Sequence, residues 1–282
     1  MIEWLTDPLA QRIVLRGLVE LTLLGIVSGA LGCWIVLSGR SYSAESLAHA
    51  MLPGLVAAAL LGIPLLLGGA AGLLVGAVLI ALVGRIPRLD GDVAVSVVIT
   101  SLFGLGVLLG LAPDVPAGLN GILFGDLLGV TDLDIALAAG LAVAVLAVLT
   151  VLHPSLLAVG FDRLNARALG RSPAGLDVVL AVLLAAATLV AVQALGNLLV
   201  VAMLVGPAAT ARLLTRRMVP MMATATAVAA GASVAGLYLS YHAKVAAGAS
   251  VALALVTLYL LALVGRVIAD ASGPRAAGPA RA

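Results

Sequence analysis

Glu45, His49 and Pro53 follow one another at intervals of four residues in the stretch AESLAHAMLPG (44–54). On an α-helix, positions i and i+4 share a face, so the Glu45 carboxylate and the His49 imidazole can be aimed at one point. A carboxylate oxygen with an imidazole nitrogen is a natural donor pair for a first-row divalent metal. Pro53 cannot donate to the carbonyl of His49, so a bend is expected there, with that carbonyl turned toward a cavity. Flanking runs apolar enough for a bilayer make this combination unusual, because ionisable groups inside spans line pathways or face the bundle interior. The same residues also fit a plainer arrangement, with Glu45 at a wet helix end and His49 hydrogen-bonded between helices.

A second candidate is FDRLNARALG (161–170) within the polar segment 158–173. It reads as a short amphipathic helix with Phe161, Leu164 and Ala168 on one side. Asp162 near its start and Arg167 near its end suit the helix dipole, and Gly170 supplies a stop. Such a helix can dock a soluble partner or lie against lipid headgroups. The third is GNLLVVAMLVGPAATARLLTRR (196–217), where Pro207 predicts a bend and Asn197 can cap a helix or line an entrance. Asp126 and His242 lie in connections where they can meet an incoming cation, although solvation accounts for both. Asp92 reads as a helix N-cap, His153 as a structural residue at a helix end before Pro154, and Cys33 as packing. A phosphate loop, a nucleophile elbow and zinc-protease or paired-cysteine motifs are all missing, which argues against enzyme chemistry in this chain. Any ATP hydrolysis would have to come from another subunit.

The elements that position these residues are set by composition. Of 282 residues, 63% are hydrophobic and 10% charged, where soluble domains hold roughly 45–50% and 25%. Aromatics make up 3% against 32 glycines, a mixture suited to closely packed membrane helices. Gly25–Gly29, Gly72–Gly76 and Gly106–Gly110 supply small-residue crossings. The expected fold is all-α and polytopic, with eight or nine membrane-penetrating helices, some short or broken. The candidates are 13–38, 44–62, 64–84, 93–112, 132–152, 175–195, 197–214, 219–240 and 247–268. Residues 1–270 read as one transmembrane domain, 271–282 as a disordered basic tail, and no cleaved signal is evident. A net charge of +2 gives no reason to expect nucleic acid.

Lys/Arg placement sets the orientation. Arg85 and Arg88, Arg163 to Arg171, Arg212 to Arg217, and Arg266 with the C-terminus fall on one side if there are nine spans. That side is then cytoplasmic, and Asp114, Asp126, Asp132, Asp134 and His242 face outward. Arg12 and Arg16 would then also face outward; if one early segment only re-enters the membrane, the N-terminus lies in the cytoplasm instead.

Taken in order, the segments GALGCWIVLSGRSYSAESLAHAMLPG, DVAVSVVITSLFGLGVLL, LNGILFGDLLGV, FDRLNARALG and GNLLVVAMLVGPAATARLL resemble the permease subunits of zinc/manganese/iron ATP-binding-cassette importers. The resemblance runs from about residue 8 to 265. It implies a homodimeric pore in a prokaryotic cell membrane, with two cytoplasmic ATPase subunits docked on the 161–170 segments through Phe161, Asp162, Ala166 and Gly170. An extracytoplasmic binding protein would deliver a divalent metal (zinc, manganese or iron), which is cargo and not a resident cofactor; the alternatives are an importer subunit for another substrate, such as a metal chelate, and a non-transporting membrane scaffold. Glu45 and His49 take the positions of the family's metal ligands, and Pro53 and Pro207 those of pathway kinks. The chain departs from the family pattern where Glu45 replaces the usual Asp, Ala48 the usual Ser, and Asp126 the frequent Asn. Lys244 and Ala246 stand where an acid and a proline are common.

Overall fold

The computed structural model describes residues 11–39, 41–83, 91–111, 125, 127 and 129–272. Among them the regular structure is entirely helical, as expected in lipid, where backbone groups must find their partners within the segment. The helices are α1 (Arg12–Leu37), α2 (Ser41–Leu61), α3 (Leu65–Val83), α4 (Gly91–Gly110), α5 (Asp132–Phe161), α6 (Arg163–Ala168), α7 (Pro173–Leu214), α8 (Met218–Ala243) and α9 (Ala247–Ser272). Five apolar segments, α1, α5, Pro173–Asn197, α8 and Ala247–Ala271, are long enough to cross a bilayer. Glu45–Leu61, Leu65–Ile80, Val95–Gly110 and Leu199–Leu214 are shorter apolar helices. Each candidate span overlaps one of these helices. Asp126, Asp114, the Arg85/Arg88 connection and residues 273–282 of the tail lie outside the described residues.

Helix α7 is two rods joined at Gly196, whose φ of 70° and ψ of 164° belong to a region that essentially only glycine occupies. Asp177 and Leu180 share a cavity with Trp34 and Leu37 at the end of α1. Arg212, 35 residues after Asp177, donates to the Val36 carbonyl at the same end. A straight helix would hold Asp177 and Arg212 about 52 Å apart, so the chain folds back at Gly196. The 173–195 rod (α7a) and the 197–214 rod (α7b) are the two expected segments.

The other end of α1 is marked by Arg16, paired with Asp132 at 2.7 Å, and by Gln11, which donates to the Tyr241 hydroxyl. Successive rods alternate in direction. Gly54 packs on Gly68 and Gly72 so closely that a Cβ on Gly54 would lie 2.1 Å from the Gly68 carbonyl oxygen, and Gly236 packs similarly on Val251. At the core, α1 packs against α5, α7 and α8, while α2 carries α3 and α4 and leans on α7. The 163–171, 212–217 and 266 arginines thus gather at one end, called here the α6 end. Asp132, Asp134 and His242 lie at the opposite one.

Three expectations change. Helix α5 does not stop at 152 but runs through Pro154 to Phe161. One lost ladder bond is outweighed because Leu156 and Val159 continue the buried face of this helix. His153 accordingly lies within the helix, its ring 5.4 Å from that of Trp34 in a T-shaped contact. Phe161 therefore ends α5 and is not part of the short helix, whose buried residue is Ala166 while Ala168 is exposed. Finally, Ala271 and Ser272 belong to α9, not to a tail.

Candidate metal pathway site

Helix α2 begins four residues after α1 ends, so its first turns lie in the half of the bundle nearer the α6 end. One helical turn brings His49 Nε2 to 3.8 Å from Glu45 Oε1. This is too long for a hydrogen bond, yet bonds of about 2.1 Å to one ion span up to about 4.2 Å. The Glu45 side chain is half exposed and that of His49 mostly buried, so the pair faces outward from its own rod while remaining anchored to it. His49 Nδ1 is buried without a hydrogen-bond partner among the described residues. The ring is instead held by Phe103 of α4, centroid to centroid 4.9 Å at 67°. Metal-ligating histidines usually gain their orientation from a hydrogen bond at the second nitrogen, and here an aromatic edge takes that place. Pro53, one turn further on, lies inside α2 and withholds the N–H that the His49 carbonyl would otherwise accept.

Among the described residues no third His, Cys, Asp or Glu joins the pair. Two protein donors leave positions for water or other ligands, an open arrangement compatible with passage and unlike a closed structural cage.

Asn197 and His242 are not near this pair. Asn197 opens α7b directly after the Gly196 turn, toward the end opposite α6. It is fully buried, and among the described residues neither amide atom has a hydrogen-bond partner, so no cap to the helix is seen there. His242 ends α8 at that same far end, 5.2 Å from the Tyr241 ring. Pro207 lies within α7b.

At the α6 end, Asp162 accepts from the N–H groups of Leu164 and Asn165 at 2.8 and 3.0 Å, capping α6. Gly170, with φ of 73°, closes it. Its N–H donates to the Arg167 carbonyl and that of Arg171 to the Ala166 carbonyl, the Schellman pattern. Arg163 pairs with Asp177, tying α6 to α7a. This clamped helix presents Leu164, 77% exposed, beside Phe161 at the end of α5, 89% exposed.

Sequence reading passes over two residues. Phe103 gives no local signal, because its meeting with His49 is a contact between helices. Glu20, 1% exposed in α1 with Oε2 unpartnered, does give one: it is a lone acid inside an apolar run.

A polytopic helical bundle with a capped helix at one end and an open carboxylate–imidazole pair in a rod is the architecture of a transport permease. The chain matches the ABC 3 transport family over residues 10–266 and belongs to it. It is 34% identical over 246 residues, 87% of this chain and 88% of the relative, to the manganese import system permease protein ScaB of Streptococcus gordonii. It is 32% identical over 248 residues, 88% of this chain and 84% of the relative, to the chelated iron transport system membrane protein YfeC of Yersinia pestis. A chain of PsaBC from Streptococcus pneumoniae, solved in complex with Fab, superposes with a TM-score of 0.86 at 31% identity, covering 97% of this chain and 100% of that one.

Proposed function

We propose that this protein is the transmembrane permease subunit of an ATP-driven importer that carries manganese or iron ions into a prokaryotic cell. Support comes from the Glu45–His49 pair, open on one side and set at a separation one divalent ion bridges, in a chain whose relatives are named for manganese and iron. The donors accept zinc equally well, so the choice of cargo rests on those relatives. The metal is substrate, held in passing by Glu45 and His49 together with water.

In this reading two copies form the pore, and a pair of ATPase subunits docks at the α6 ends, which face the cytoplasm together with the C-terminus. Phe161 and Leu164 supply the apolar contact, while Asp162, Ala166 and Gly170 keep the helix in shape and against the bundle. An extracytoplasmic metal-binding protein approaches the opposite end, where Asn197 and His242 stand near the entrance. Pro53 and Pro207, inside their helices, each leave a carbonyl without its helical N–H along the path. Proteoliposomes containing the chain, its ATPase and its binding protein test this: manganese or iron should accumulate only when ATP is present. Accumulation that does not depend on ATP, or none of either metal, contradicts it.

A further inference from the structure

A cavity of about 450 Å³ opens between α1, α7b and α9 at the α6 end, lined by Arg212, Arg216 and Arg266 with Val36, Leu213 and Tyr259. Arg212 spends one N–H on the Val36 carbonyl at 3.1 Å, which fixes its guanidinium and leaves further donors free. Arg266 pairs with Asp270 at 3.0 Å. Arg216 forms no ion pair among the described residues. Among the described residues, three guanidiniums line the cavity and one carboxylate, Asp270 on Arg266, offsets them, so the cavity carries an excess of positive charge. Tyr259 precedes Arg266 by seven residues, which places it about 10 Å deeper along α9. Ala209 lies about one turn below Arg212 on α7b, so the cavity runs from a cationic mouth at the end of the bundle, which Leu213 shares, to a floor made by Ala209 and the Tyr259 ring. Leu260, Leu261 and Val264 on the same helix are exposed, so the flank beside it is apolar too.

We propose that this cavity binds one anionic phospholipid, its phosphate among Arg212, Arg216 and Arg266 and the start of an acyl chain against Leu213 and Tyr259. Charge complementarity selects an anion, and the apolar floor selects one that carries a chain. An acidic segment of a soluble partner satisfies the mouth but has nothing to place against the floor. Basic pockets between membrane helices suit such headgroups, each arginine adding attraction at the membrane surface.

The test is native mass spectrometry of the purified full-length chain with phosphatidylglycerol or phosphatidylcholine added. One phosphatidylglycerol should be retained in preference to phosphatidylcholine. Arg216→Gln, at an unpaired position, should weaken this retention, and the variant carrying Arg212→Gln, Arg216→Gln and Arg266→Gln should weaken it on the order of tenfold or more. Arg167→Gln on α6 should leave it unchanged, and an unaltered melting temperature of Arg216→Gln separates the effect from unfolding. Glycerol phosphate, which has the headgroup charge without a chain, should not displace the lipid. Equal retention of the two lipids, retention by the triple variant as by the parent, or displacement by glycerol phosphate overturns the proposal. So does loss of ATPase co-purification by the triple variant with lipid retention intact, which assigns the arginines to a protein partner.

Discussion

Glu45 Oε1 and His49 Nε2 stand 3.8 Å apart, beyond a hydrogen bond and within the span of a single bridging ion. The relationship follows from one turn of α2 and from Phe103, whose ring holds the imidazole from α4. Replacing Phe103 by Leu should weaken manganese binding by the solubilised permease roughly tenfold, the scale typical of outer-shell partners. Titration followed by manganese electron paramagnetic resonance measures it. An unchanged affinity would mean that α2 alone orients His49.

Helix α6 separates contact from support. Leu164→Asp changes a side chain that is 77% exposed, so the permease should keep its melting temperature while losing co-purification with the ATPase. Ala166→Asp buries a charge at a position 1% exposed and should lower the melting temperature as well. Asp162→Ala removes a cap and should cost about 1 kcal/mol of helix stability.

Gly196 allows the chain to fold back. Alanine there must adopt φ of 70° and ψ of 164°, at a cost of about 1–3 kcal/mol. A lowered melting temperature in detergent should result. If Gly196→Ala melts with the parent, the reversal does not depend on glycine.

Helix crossings give a paired comparison. Gly54→Ala drives a Cβ to 2.1 Å from the Gly68 carbonyl oxygen, whereas a Cβ at Gly104 meets nothing within 4 Å. The first should destabilise the α2–α3 contact markedly, and the second should be neutral by the same melting assay.

Much of this arrangement is legible in the sequence because membrane spans are long, apolar and internally hydrogen-bonded. Gly196 between two such runs marks the reversal, and helical spacing alone places Glu45 and His49 on one face, in agreement with their 3.8 Å separation. Pro154 misleads about α5, since a proline stops a helix only where nothing beyond it packs, and Leu156 and Val159 do pack. Phe161 is displaced into α5 for the same reason. What spacing cannot show is which rod meets which. The hold of Phe103 on His49, the Arg16–Asp132 ion pair at the end opposite α6, and the three-arginine cavity all join residues far apart in the chain.

The most direct measurement is ATP-dependent manganese uptake by proteoliposomes holding the permease with its ATPase and binding protein, compared for the parent, Glu45→Ala and His49→Ala. Uptake should fall close to background in both variants, while ATPase co-purification and melting temperature stay at parental values. Parental uptake rates in both variants would contradict a metal path through Glu45 and His49.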